Sequence, residues 1–75
     1  MKRFCIVNGS GKRLVYFNSK LLTEKPKKVF KFTDKKKGFL LWDRQIQAQS
    51  FIYWIRYICA IHGYRRGNNL KVGKY

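Results

Sequence analysis

The sequence predicts an α+β domain: a small antiparallel β-sheet of three or four strands, opened by a β-hairpin and packed against one long C-terminal amphipathic α-helix. Three observations carry this expectation. Two β-branched and aromatic runs, FCIV at 4–7 and LVYF at 14–17, flank the turn cluster NGSG. KVFKF at 28–32 alternates with a period of two, and RQIQAQSFIYWIRYICAIH at 44–62 repeats its apolar residues at helical spacing.

The hairpin rests on Asn8-Gly9, among the strongest short-range hairpin signals. Its pleat places Phe4 and Ile6 on one face and Cys5 and Val7 on the other, while Leu14 and Tyr16 alternate with Arg13, Val15 and Phe17. NSKLLTEKPKK at 18–28 is a connector. It holds the only proline, Pro26, which biases Lys25 toward an extended conformation. In the third strand Phe30 and Phe32 point one way, beneath the helix, and Val29 and Lys31 the other.

Two readings compete after it. In one, Thr33 or Asp34 caps a helix that runs through the lysines. In the other, TDKKKG is a loop and FLLW at 39–42 returns as a fourth strand. Gly38 costs about 1 kcal/mol inside a helix and favours the loop, and Asp43 then caps the helix that follows. On that helix Ala48, Phe51, Ile52, Trp54, Ile55, Ile58, Cys59 and Ile61 fill an arc of about 180°, the expected core face. Gln45, Gln49, Ser50, Tyr53, Arg56, Tyr57 and Ala60 lie opposite, with Ile46 as the apolar exception, and Gly63 is the stop signal. Residues 1–63 read as the domain. Residues 64–75 read as a basic tail, either a mobile arm or a short edge strand through Leu70 and Val72.

Charge is the strongest global fact. Eighteen Lys and Arg face three acidic residues, Glu24, Asp34 and Asp43, for a formal net charge of +15. Self-repulsion of this size opposes compaction, so such a chain is expected to meet polyanions. Cys5 and Cys59 lie far apart, no CxxC pair exists and His62 is the only histidine, which argues against a zinc site and for buried thiols in a reducing cytoplasm. No apolar run follows MKRF as in a signal peptide. The longest uncharged stretch, 45–55, falls well short of the ~20 apolar residues that a membrane span requires. The expected location is the cytoplasm.

GSGK at 9–12 copies the end of a phosphate-binding Walker loop. Full alignment places Ile6 where the first glycine belongs and Arg13 where a magnesium-holding hydroxyl belongs. The next residues, LVYF, form a strand, so no helix N-terminus faces a phosphate. His62 at the helix end is a capping residue by position, and three scattered carboxylates do not make a two-metal site. The expectation is a non-enzyme without a cofactor.

The helix holds only Arg44 and Arg56, so most cations fall in loops, at strand ends and in the tail. Candidate nucleic-acid contacts are Lys12, Arg13, Lys28, Lys31, Lys35, Lys36, Lys37, Arg65 and Arg66. In one consistent register Arg13 and Lys31 face away from the helix. Tyr53, Arg56 and Tyr57 on the outer helix face are candidate contacts for a protein partner, since Tyr and Arg are frequent hot spots. A basic antiparallel sheet followed by one helix resembles, in architecture, the small DNA-binding domains at integrase N-termini and in plant AP2 factors. The resemblance transfers no residue. The expected partner is nucleic acid, DNA ahead of RNA because a β-ribbon fits a DNA major groove. The alternative is a virus- or mobile-element-encoded protein that docks on an acidic host enzyme, and a ribosome-associated protein would share the RNA expectation.

Overall fold

The computed structural model describes residues 2–64 and 69–75. Asn8 closes the first turn. Its Oδ1 accepts the N–H groups of Ser10 and Lys12, each at 3.0 Å, and Gly11 takes the left-handed φ of 78° that this bend requires. Strands β1 (Phe4–Val7) and β2 (Arg13–Phe17) leave the turn antiparallel, with Val7 opposite Arg13. A four-residue helix α1 (Leu21–Glu24) and a 3-10 turn (Pro26–Lys28) lead to β3 (Phe30–Thr33), so the third strand starts two residues later than its alternation predicts. Helix α2 (Gln45–Ile61) and strand β4 (Lys71–Lys74) complete the order. The sheet is antiparallel throughout, with strand order β3-β2-β1-β4.

The fourth strand is therefore 71–74 and not 39–42: of the two readings of the tail, its last residues form the edge strand, beside β1. β4 pairs along all of β1, from Phe4↔Lys74 to Val7↔Lys71. Gly73 permits this approach: a Cβ there would lie 3.1 Å from Val7 Cγ1 and 3.4 Å from Cys5 Sγ. Segment 39–42 forms only the isolated bridge Phe4↔Trp42. It fills a gap, because β1 and β2 are in register only at Val7↔Arg13. Beyond that point the Leu40 N–H donates to the Leu14 carbonyl at 3.0 Å, and Trp42 exchanges hydrogen bonds with Phe4 at 2.8 and 3.0 Å. The gap's backbone groups are satisfied without a continuous strand.

A second departure lies in β2. Leu14 pairs with Phe32, but Tyr16 pairs with Lys31 and Phe17 with Phe30, so the register shifts between Leu14 and Tyr16. One extra residue reverses the alternation. Phe17 thereby joins the Leu14 face, contrary to the simple pleat, and its ring stands 5.0 Å from Phe30 and edge-on to Trp54 at 5.4 Å.

Ile6, Leu14, Ala48, Ile52, Ile55, Cys59 and Leu70 form the buried core, with Phe4, Phe17, Phe30 and Phe32 packed around it. The helix buries positions 48, 52, 55 and 59, a narrower stripe than its apolar arc suggests. Trp54 and Ile61, expected in the core, are 44% and 59% exposed. The helix cap is also shifted by one residue. Arg44, extended at φ −125° and ψ 145°, occupies the N-cap position in place of Asp43, and its N–H donates to Gln47 Oε1 at 3.1 Å. At the other end Tyr64 ties the helix exit to the connector, its hydroxyl donating to the Pro26 carbonyl at 2.7 Å.

Ile52 is fully buried, so Ile52→Ala removes core volume that cannot be refilled from solvent. Urea unfolding should show a loss of about 2–5 kcal/mol, a large share of the stability of so small a domain.

Candidate nucleic-acid interface

Residues paired across an antiparallel sheet share a face, so the register places the cations. Thr33, Arg13, Val7 and Lys71 form one row across the hairpin end of the sheet. Lys31 stands opposite Tyr16 farther along β2 and β3. These residues lie on the face away from Ile6, Leu14 and Phe32, hence away from α2. Lys31 and Lys71 are exposed, as is Lys12 in the turn. By strand spacing Arg13 and Lys71 stand about 10 Å apart, on either side of β1. None of the four strands carries a carboxylate.

Arg13 has a structural task as well. Its guanidinium lies over the Phe39 ring, 5.0 Å from the centroid, and Nη1 donates to the Lys35 carbonyl at 3.4 Å. Phe39 in turn packs on Tyr75 at 5.3 Å, and the Tyr75 hydroxyl donates to the Lys36 carbonyl at 3.1 Å. Thr33 Oγ1 accepts the Lys35 N–H at 3.1 Å, which turns the chain sharply after β3. These contacts hold Lys35 beside the hairpin end and tie the Lys36 backbone to Tyr75, beyond the other end of β4; Lys35, Lys36 and Lys37 are exposed. The Phe39 ring thus lies between Arg13 and Tyr75, and Cys5, outward on β1, is buried.

The fold brings Lys12, Arg13 and Lys35 to the hairpin end of the sheet, sets Lys31 farther along the same outer face, and leaves Lys36 and Lys37 in the exposed loop that follows. Lys28 stands apart, exposed in the 3-10 turn that precedes the far end of β3. Arg65 and Arg66 lie outside the described residues. Lys71 joins the cluster although the sequence reading did not single it out. Its only local signal was the alternation of KVGK inside a tail otherwise read as Gly- and Asn-rich.

The protein-contact candidates sit elsewhere. Tyr53 and Tyr57 are exposed on α2, on the opposite side of the molecule from the cations. Arg56 is half-buried, and its Nη2 donates to the Leu70 carbonyl at 3.4 Å, so it braces the helix against the entry to β4.

Both cysteines are free and buried. Burial pushes the Cys59 thiol above the ordinary value of 9.0, which keeps it neutral and unreactive. Among the described residues no helix is long and apolar enough to cross a membrane, and no three His, Cys, Asp or Glu side chains come together as a metal site would require. Comparison of the chain with family models, with curated proteins and with solved structures finds no match.

The raised Cys59 value sets a sign for the pH response. A neutral buried thiol contributes stability that is whole below the unfolded value, near 9.0, and is lost as pH rises through the folded one. Thermal unfolding should therefore show falling stability above pH 9.0 that Cys59→Ala makes shallower, and native Cys59 should react with a thiol reagent only as the domain opens.

Proposed function

We propose that this chain is a small non-enzymatic nucleic-acid-binding protein of the cytoplasm. It grips the phosphate backbone, of DNA in preference to RNA, with the hairpin end of its sheet and the adjoining lysine loop. One observation carries the reading: the strand register and the loop after β3 bring Lys12, Arg13, Lys35 and Lys71 to the hairpin end of the sheet and Lys31 to the same outer face, with Lys36 and Lys37 following in the exposed loop and Asp34 as the carboxylate beside them. Cations so arranged displace counterions from a polyanion and hold it with little sequence information. β1 and β2 are the central pair of the sheet, so the part that leads is their turn at 8–12, with Lys12 and Arg13 at its base. A projecting turn enters the wide major groove of B-form DNA more readily than the narrow one of A-form RNA. Tyr16, exposed on the same face opposite Lys31, is the aromatic placed to touch a sugar or base edge.

Anisotropy titrations with duplex DNA, duplex RNA and heparin test this. If about six of these cations meet phosphates, affinity for DNA falls by about 10³ between 50 and 200 mM salt. The variant carrying Lys12→Glu, Lys31→Glu and Lys71→Glu should bind far more weakly and lose about three from the salt slope. Its circular dichroism should be unchanged, because all three side chains are exposed. Arg13 is left intact in that variant because it anchors Phe39. Binding to neither nucleic acid at low salt would overturn the proposal and leave an acidic protein surface as the partner.

A further inference from the structure

The outer side of α2 is unlike the rest of the surface. Ile46 and Tyr57 are each 65% exposed and Tyr53 is 59% exposed; Trp54 and Ile61 complete the set. Apart from Tyr16 and Tyr75, these are the exposed large hydrophobic residues among the described positions. Together with Ser50 they follow one another at helical intervals, on the side opposite the buried stripe of Ala48, Ile52, Ile55 and Cys59. The stripe runs about 22 Å along the helix. Soluble monomers rarely show a contiguous apolar patch of this extent.

Its chemistry points to one occupant. Arg56 is the only charged residue within α2, and its guanidinium turns to the Leu70 carbonyl, so the stripe itself is uncharged. A partner selected by acidic groups would find no cation there. A second +15 chain, by contrast, can lay this stripe against its own with Arg13, Lys31 and Lys71 turned to the far side of the sheet and Arg44, at the helix N-cap, left at the rim. The stripe is also symmetric about its midpoint between Tyr53 and Trp54. Ile46 lies as far before that point as Ile61 lies after it, and Ser50 as far before as Tyr57 after. In a two-fold interface every contact occurs twice with its residues exchanged. An antiparallel pair of α2 helices meets that condition: Ile46 faces Ile61, Tyr53 faces Trp54, and Tyr57 faces the small Ser50. A shallow groove of ≈ 530 Å³, lined by Trp42, Ile46, Gln47, Ser50, Phe51 and Trp54, opens at Ser50, where such a pairing would seat Tyr57 of the second copy.

We propose that the outer face of α2 is a self-association surface, on which a second copy of this chain packs its own α2 antiparallel. The exposed parts of the five large side chains amount to about 600 Å² per copy, close to the ~800 Å² per partner of a standard interface.

Sedimentation without nucleic acid tests the proposal. Across the micromolar range in about 0.5 M salt, where charge repulsion is screened, the mass should be twice 9.0 kDa. Lower salt should weaken the pair, the reverse of the salt response of nucleic-acid binding, so the two proposals fail separately. Tyr57→Lys should weaken association by more than about tenfold with an unchanged circular dichroism spectrum. Under mild oxidation, chains carrying Ser50→Cys and chains carrying Tyr57→Cys should form the mixed disulfide ahead of either like pair, while native Cys5 and Cys59 stay buried. A monomer throughout that range, a dimer untouched by Tyr57→Lys, or preferred Ser50→Cys self-linkage would overturn the proposal. A monomer whose Tyr57→Lys variant loses DNA affinity would assign the face to nucleic acid instead, which also overturns it.

Discussion

Phe17 reaches the helix because β2 carries one more residue than β3 between Leu14 and Phe17. From that position a line of rings runs from β3 to the segment before α2. Phe32 stacks on Phe30 at 5.7 Å, Phe30 meets Phe17, Phe17 meets Trp54, Trp54 meets Phe51 at 5.5 Å and Phe51 meets Trp42 at 5.3 Å. A chain this short has few aliphatic side chains for a core, and the rings close its flanks where smaller groups would leave gaps. Without the bulge Phe17 would turn to the outer face, and the link between sheet and helix would break at Trp54.

The bulge leaves the strand cations where alternation puts them. Arg13 precedes it and Lys31 faces outward between Phe30 and Phe32, so the exchange brings only Tyr16 to their face. The inner face is left wholly to apolar contacts, so the net charge of +15 is carried without a buried charged residue among the described positions. Repulsion among these cations opposes the fold, and a polyanion laid across them would relieve it. Arg13, Lys31 and Lys71 lie on the face of the sheet away from α2, and the uncharged stripe lies on the side of α2 away from the sheet.

The elements with strong local chemistry were legible before the structure. The NGSG cluster marks the turn, which Asn8 closes through its side chain with the left-handed bend at Gly11 instead of Gly9, and the spacing of Ala48, Ile52, Ile55 and Cys59 marks the helix and its buried side. Arg13 and Lys31 were placed on the side away from the helix by alternation, and the structure has them there although the bulge intervenes. FLLW at 39–42 misled because its composition suits a strand. Its backbone bonds instead complete a gap in the β1–β2 ladder, a need that exists only once the hairpin has formed. Trp54 misled for a related reason: its apolar character is used edge-on against Phe17 while much of its surface faces solvent.

Local sequence by itself determined the α+β class, the first hairpin, the extent of the helix to within a residue or two, and the excess of positive charge. Each depends on neighbours a few positions apart, through turn chemistry, helical spacing or simple counting. Only the tertiary structure decided that 71–74 supplies the fourth strand, that Lys71 joins the hairpin cations, that Arg13 carries Phe39, and that an uncharged stripe stays open on α2. These depend on which distant segments meet. For β4 the partner is β1, nearly a whole chain away, and Gly73 leaves room there for the Val7 and Cys5 side chains.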